Sequence, residues 1–268
     1  MYLILCVFLF HIAFYFFRIV AKHKGWLTRN FSGVFIPAGY GIVLFFFLLV
    51  YVVLNHQHVT KTEMALVFYT ALLILIGWID DRYGNPNIKG IKGHLTYLLH
   101  TGRVSTGCVK AFLGVGAGVG IALQLTNKPV DLLLYSGVLS LSTNFINLLD
   151  VRPGRALKGV GLFLPFIILM GTLPTHLSMY AIYLLIFCLV ALPYDLKGAM
   201  MLGDAGANGL GFSLGSLLIL SLSIQWIWVY FFFLLGIHWY AEKGSISTYI
   251  KQHALLRRVD EWGRNVDP

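Results

Sequence analysis

Long apolar runs alternate with short polar segments from the first residues of the chain to about residue 241. A helix needs about 20 mainly apolar residues to cross the hydrocarbon layer of a bilayer, and several runs come close to that length. We therefore predict about nine transmembrane helices. They lie at residues 2–18, 36–54, 64–79, 107–125, 131–149, 159–173, 177–193, 208–222 and 225–241. Residues 1–241 would form a single transmembrane helical domain, and residues 242–268 a short charged tail.

The composition supports a membrane protein and excludes other classes. Of the 268 residues, 58% are hydrophobic and only 12% are charged, whereas soluble domains are about 25% charged. A soluble domain of this size could not bury so much apolar surface. Three widely spaced cysteines exclude a disulfide scaffold. The expected fold is an all-α polytopic membrane protein.

The basic residues predict the orientation in the membrane. Of 20 Lys and Arg residues, 18 fall at or beside alternate ends of the predicted spans, and only Lys61 and Lys128 fall on the other side. Cytoplasmic loops collect Lys and Arg. We therefore expect the N-terminus outside and the C-terminus in the cytoplasm. The net charge of +9 then reflects orientation in a bilayer and not nucleic-acid binding.

Five aspartates fall at the predicted cytoplasmic ends of spans or in the short loops beside them. They are Asp80, Asp81, Asp150, Asp195 and Asp204. Ionisable groups at such positions are costly unless they are hydrated, paired or bound to a metal. We expect these carboxylates, although distant in sequence, to meet on one membrane face.

The first segment is an apolar run that leads directly into Asp80 and Asp81. Adjacent carboxylates repel each other, and a hard divalent cation relieves the repulsion while it collects oxygen ligands. The alternative is a solvated pair that marks, with Arg82, the end of a helix.

In the second segment Asn144, Asn147 and Asp150 recur every three residues. On a helix they would form one polar stripe along the last two turns. Such a stripe suits recognition of a base or sugar, and it equally suits a polar seam between membrane helices.

The third segment, Gly203-Asp204-Ala205-Gly206, opens an apolar span. Glycines let a phosphate approach the backbone, and the N–H groups at a helix N-terminus favour anions. An N-cap aspartate is the structural alternative.

Together and in this order, the three segments, with Lys110 between the first and second, resemble the polyprenyl-phosphate N-acetylhexosamine-1-phosphate transferases. This membrane family includes the phospho-MurNAc-pentapeptide and GlcNAc-1-phosphate transferases. The resemblance covers about residues 30–215. It implies Mg²⁺-dependent transfer of a phospho-N-acetyl-sugar from a UDP-sugar to undecaprenyl or another polyprenyl phosphate, with release of UMP, at the cytoplasmic face of the plasma membrane in cell-envelope biosynthesis.

The resemblance also implies residue roles. Asp204, with Asp81, would hold Mg²⁺, while Asp80 and Asp81 would act on the lipid phosphate as positioning or base residues. Lys110 would contact phosphate as a point charge. Asn144, Asn147 and Asp150 would lie beside the uridine. Among possible partners we also consider a second copy of the chain.

The chain departs from the family pattern after Asp150. It has Val151-Arg152-Pro153-Gly154-Arg155, so that Pro153 replaces a second carboxylate, and the family's His-rich element is absent. We interpret Arg152 and Arg155 as bidentate ligands of a diphosphate. The alternative is that both follow only the positive-inside rule.

Two other hypotheses stay open. The first is a catalytically inactive family member that binds polyprenyl phosphate or scaffolds envelope-synthesis proteins. The second is a secondary transporter, which would place its ion-binding carboxylates near the bilayer midplane.

Overall fold

Helices make up almost all of the regular structure. The computed structural model describes residues 2–30, 33–85, 88 and 90–264. The helices are α1 (Tyr2–His23), α2 (Val43–Asn55), α3 (Lys61–Tyr83), α4 (Gly90–Thr101), α5 (Thr106–Leu125), α6 (Pro129–Leu149), α7 (Arg155–Met170), α8 (Thr175–Leu196), α9 (Gly203–Ser221), α10 (Ile224–Lys243), α11 (Ile246–Gln252) and α12 (Ala254–Glu261). Between α1 and α2, strands β1 (Leu27–Arg29) and β2 (Phe35–Pro37) pair antiparallel.

Local signals explain where several helices begin. Thr60 and Glu63 form a capping box at the start of α3, with the Thr60 N–H donating to Glu63 Oε2 at 2.8 Å. Ser105 caps α5 by accepting from the Cys108 N–H at 3.3 Å. Pro129 begins α6, where a missing N–H costs nothing.

Within the described residues, six helices are long and apolar enough to cross a membrane: α1, α3, α5, α6, α8 and α10. The chain is therefore an all-α polytopic membrane protein. Each of the nine predicted spans contains a helix. The three remaining helices, α2, α7 and α9, are not among the six. Helix α2 has 13 residues and α7 has 16, so both are shorter than the typical crossing of about 20 residues.

Helix α9 lies at the centre of the bundle. It packs mainly against α3 and α6, and nearly all of its residues are buried. Glycines allow the close approach. A Cβ on Gly211 would lie 2.7 Å from Thr143 Cα, and one on Gly215 would lie 2.9 Å from Ser142 Cβ. Small residues at an interface let membrane helices pack backbone to backbone.

Large apolar side chains cover the outside of the bundle. Phe112, Phe166 and Leu133, on three different helices, are each more than 70% exposed. Such an apolar exterior would aggregate in water and suits contact with lipid.

Contacts between the ends of the long helices define two ends of the bundle. We call the site end the one that contains the C-terminal ends of α3, α6 and α8 and the N-terminal ends of α5, α7 and α9. The hairpin and residues 38–41 pack at this end, where the N–H groups of Gly39 and Tyr40 donate to Met201 O at 3.0 and 3.2 Å. The opposite end, which we call the far end, contains Glu63 of α3 and His176 of α8, with Oε1 and Nε2 2.6 Å apart.

Candidate active site

Two carboxylates from different helices share one lysine at the site end. Lys110 Nζ lies 2.9 Å from Asp80 Oδ2 and also contacts Asp204 Oδ2. The side chains of Lys110, Asp80 and Asp204 are 20%, 14% and 25% exposed, so the group is partly open to solvent. The structure therefore brings Lys110 together with Asp80, 30 positions before it in the sequence, and with Asp204, 94 positions after it.

The ends of antiparallel helices bring these side chains together. Asp80 lies in the last turn of α3, Lys110 in the second turn of α5, and Asp204 in the first turn of α9. Gly77, one turn before Asp81, permits the contact between α3 and α9, since a Cβ there would lie 2.5 Å from Asp204 O. We call the group of Asp80, Lys110 and Asp204 the open cluster.

Asp81 holds the start of α9. Its Oδ1 accepts from the Asp204 N–H at 2.9 Å and its Oδ2 from the Ala205 N–H at 3.2 Å. Successive residues of a helix point about 100° apart, so Asp80 and Asp81 face different partners. Asp81 thus satisfies N–H groups that α9 cannot pair within itself.

Asp150, the residue that follows the end of α6, completes this cap. Its Oδ2 accepts from the Gly203 N–H at 3.0 Å, so three consecutive N–H groups of α9 donate to Asp150 and Asp81. Gly203 has a φ of 74°, and a Cβ there would lie 2.9 Å from Gly39 Cα. A left-handed backbone in so confined a space requires glycine.

The three residues of the predicted polar stripe lie in different environments. Asp150 contacts α9, Asn147 is half-buried, and Asn144 is exposed. Neither amide side chain has a hydrogen-bond partner among the residues that the structure describes. Both therefore have donors and acceptors to offer a ligand.

A cavity of about 250 Å³ lies beside Asp150. It is lined by Arg29, Asn30, Ile36, Asp150, Val151, Arg152, Pro153, Asp195, Gly198, Met200 and Met201. Arg152 has no ion pair or hydrogen bond with any residue of the described part of the chain. A cationic side chain without a partner at the edge of a cavity can bind an anion.

Arg155 differs from our expectation. Its Nε lies 2.7 Å from Asp260 Oδ1, its Nη2 donates to Asp260 Oδ2 at 3.1 Å, and its Nη1 donates to Ser247 Oγ at 2.8 Å. Because this guanidinium is buried and its donors are used within the protein, Arg152 and Arg155 do not form the predicted pair of diphosphate ligands. Arg29 of β1 lines the cavity with Arg152 instead.

Asp260 lies between two arginines. Arg264 Nη2 is 3.0 Å from Asp260 Oδ1, in addition to the bonds from Arg155. Burial alone would raise the pKa of Asp260, but the hydrogen bonds and charges of Arg155 and Arg264 outweigh it and hold the pKa below its ordinary value of 3.8. We call Arg155, Asp260 and Arg264 the closed cluster, because their side chains are 6%, 8% and 10% exposed.

Several contacts around the site are not predictable from the sequence. Asp195, one of the five aspartates expected at this membrane face, accepts from the Gly154 N–H at 2.5 Å. Arg82 donates to Ala38 O and lies over the rings of Trp26 and Trp78, 4.8 and 5.6 Å from their centroids. No local pattern marks Arg29 or Trp26, because a short hairpin brings them to the site.

The carboxylates of the site end are the candidate ligands for a metal ion. Within the described ranges there is no group of three or more His, Cys, Asp or Glu side chains that could hold a metal ion. Mg²⁺, however, is usually bound by one or two carboxylates together with substrate phosphates and waters. Asp80 and Asp204 meet around the single cation of Lys110, which fits that pattern. Asp81 fits less well, since both of its oxygens accept backbone N–H groups.

Comparison with known proteins does not assign the chain to a family. Neither the protein-family models nor the curated proteins compared with this chain match it.

Proposed function

We propose that the protein transfers a phospho-N-acetyl-sugar from a UDP-sugar to a polyprenyl phosphate and releases UMP. The observation that carries this proposal is the meeting of Asp80, Lys110 and Asp204 at the site end, which also holds the cavity that Arg29, Arg152 and Asp150 line. The site end holds a cavity with charged side chains in its wall, and the outside of the bundle is apolar. A reaction between a nucleotide and a lipid phosphate requires both.

The residues suit the charges of this reaction. Two phosphate-bearing substrates repel each other, so positive groups must offset the charge in the transition state. We assign Lys110 to the lipid phosphate, and Arg152 with Arg29 to the diphosphate of the UDP-sugar. Asn144 and Asn147 supply free amides for the uridine or sugar.

Asp81 and Asp150 have a different role in this proposal. They hold three N–H groups at the start of α9, and α9 carries Asp204. We therefore assign both as positioning residues and retain Asp80 and Asp204 as the carboxylates that face the reacting phosphates.

The donor set also fits the magnesium ion that the resemblance implies. Asp204 would hold it, with Asp80 in place of the expected Asp81. When bound, Mg²⁺ would neutralise phosphate charge and orient both substrates.

The chemical step is a displacement at phosphorus. An oxygen of the lipid phosphate forms a bond to the sugar-bearing phosphorus, and the bond from that phosphorus to UMP breaks. A phosphate monoester is mostly dianionic at neutral pH, because its second pKa is about 6. The nucleophile therefore needs no proton removed, and Asp80 has to position it rather than act as a base.

We further propose that the chain crosses the plasma membrane about nine times, with the N-terminus outside and the site end in the cytoplasm. A helix lies at each of the nine predicted segments. The distribution of 18 basic residues against two supports this orientation. Labelling of cysteines introduced at Lys128 and at Arg257 with a membrane-impermeant reagent tests it, since only the former should react from outside.

UMP release tests the proposed reaction. The purified protein is incubated with undecaprenyl phosphate, Mg²⁺ and either UDP-GlcNAc or UDP-MurNAc-pentapeptide. We expect turnover with one donor, loss of turnover in Asp204→Asn, and wild-type turnover in Asp131→Asn, which makes the same change at the far end. Absence of turnover with any UDP-sugar, in folded protein with Mg²⁺ present, would exclude an active transferase.

A catalytically inactive member is the second candidate. Lys110 already neutralises part of the charge on Asp80 and Asp204, and Pro153 stands where the family has a carboxylate. Such a protein would bind polyprenyl phosphate without releasing UMP. Metal-dependent turnover that Asp204→Asn abolishes excludes it. The transporter hypothesis is not favoured, because Asp80, Asp81 and Asp204 lie at helix ends and not midway along the helices.

A further inference from the structure

The helices that follow α10 are bound to the start of α7. Asp260 of α12 forms the two hydrogen bonds with Arg155 Nε and Nη2, and Ser247 of α11 accepts a third from Nη1. Lys158, one turn further along α7, donates to the carbonyl oxygens of Val259 and Asp260 at 2.9 and 2.8 Å. Residues from α7 thus bind both α11 and α12 by polar contacts.

Arg155 directly follows the loop that lines the cavity. Residues 150–153 contribute to its wall, and Gly154 is held by Asp195 with a φ of 74°. The loop is therefore attached to α9 through Asp150, to α8 through Gly154 and to the C-terminal helices through Arg155. Val151, Arg152 and Pro153 lie between these attachments.

Arg152 depends on this loop for its position. Its side chain has no polar partner elsewhere in the described ranges, so the backbone alone aims it at the cavity. A ligand group bound by such a side chain loses affinity when the loop gains freedom, because binding must then order the loop as well. The attachment through Arg155 has no direct contact with the cavity and acts through the backbone.

We propose that the C-terminal segment, α11 and α12, is a latch that positions the loop 151–153, with Asp260 as the positioning residue. The inference rests on the proposed function in one respect only, that the loop binds the UDP-sugar. The latch therefore controls affinity for the nucleotide donor and not the chemical step. The lipid phosphate, which we assign to Lys110, is unaffected.

Kinetics with Asp260→Asn test the effect on the donor. This substitution keeps the shape of the side chain but removes the charge that Arg155 pairs with. We expect the KM for the UDP-sugar to rise about tenfold, with kcat and the KM for polyprenyl phosphate within about twofold of wild type. General damage to the fold would instead lower kcat. The matched control is Glu261→Gln, which neutralises the exposed neighbouring residue and should leave all constants unchanged.

A second measurement tests the latch without catalysis. Spin labels at Val151 and Leu255, which are 56% and 74% exposed, report the distance between the loop and α12. We expect a narrow distance distribution in the wild type and in Glu261→Gln, and a broad one in Asp260→Asn. If Asp260→Asn does not fold, Ser247→Ala removes only the hydrogen bond to Arg155 Nη1 and should raise the donor KM about threefold.

The outcomes separate the two proposals. A broad distribution with an unchanged donor KM overturns the positioning role, and an unchanged distribution overturns the latch. A wild-type protein that does not turn over overturns the proposed function, and the spin-label distances then decide alone whether the latch exists.

Discussion

The open cluster and the closed cluster contain the same kinds of groups in opposite proportions. The open cluster has two carboxylates, Asp80 and Asp204, for one cation, and its side chains are 14–25% exposed. The closed cluster has two arginines for one carboxylate, Asp260, and its side chains are 6–10% exposed. Both join elements that are distant in sequence.

On the proposed function, the difference in charge balance separates a group that acts on phosphate from a structural one. Excess negative charge that remains open to solvent can be offset by an incoming cation or by a substrate complex that carries one. A buried carboxylate whose oxygens both accept from arginine has no such capacity, and removal of its partner leaves a costly buried charge. Asp204 should therefore matter most for catalysis and Asp260 for structure.

The largest expected effect comes from removal of charge in the open cluster. Asp204→Asn should lower kcat/KM by about 10³-fold, because a preorganised charged group at a reacting phosphate contributes about that much. Thermal unfolding should change little, since the side chain is partly exposed. Assay of UMP release alongside a melting curve checks both, and an active Asp204→Asn protein would contradict the contrast between the clusters.

Removal of the cation from the open cluster should have a smaller effect on rate. Lys110→Met should lower kcat/KM by about 10²-fold through loss of the phosphate contact. It should also leave Asp80 and Asp204 repelling each other, so that Mg²⁺ raises the melting temperature of the variant by mass action. Melting curves in EDTA and in Mg²⁺ test this expectation. A variant that ignores Mg²⁺ would argue against a metal at these carboxylates.

Substitutions in the closed cluster should lower the stability of the C-terminal helices and leave the rate of the chemical step unchanged. Arg155→Met should lower the free energy of unfolding of the C-terminal helices by about 2 kcal/mol, because charged hydrogen bonds to Asp260 are lost while Arg264 still pairs with it. Hydrogen exchange of α11 and α12 measures this loss. Arg257→Met, a change at an exposed position on α12, is the control and should exchange as the wild type does.

The smallest expected effect is on pH dependence. The folded state holds the pKa of Asp260 below 3.8. The ionised Asp260 therefore stabilises the folded state fully above pH about 4, and this stabilisation is lost as the pH falls further below 3.8. Hydrogen exchange of the α12 amides is measured from pH 6 to pH 3. Near pH 3 it should be faster than the intrinsic pH dependence of amide exchange alone would give. An equal acceleration in Asp260→Asn would show that the carboxylate is not responsible.

Much of the site was predictable because its residues stand in strong local patterns. Asp80 and Asp81 end a long apolar run, and Asp204 precedes small residues at the start of another, so alternation of the helices alone predicted that they would meet. The separate roles of Asp80 and Asp81 were not predictable. Their side chains point about 100° apart on one helix, and only the position of α9 decides which of them meets Lys110.

The sequence by itself determined the class of the protein and the places of nine of the described helices, because the length of apolar runs reflects the demands of a bilayer independently of packing. It also determined that Asp150 approaches the other aspartates. The tertiary structure decided the function of each arginine. Arg152 and Arg155 are three residues apart and look alike in sequence, yet one lines the cavity and the other pairs with Asp260, 105 positions away. That choice depends on where the C-terminal helices pack, and long-range contact of this kind leaves no local pattern to read.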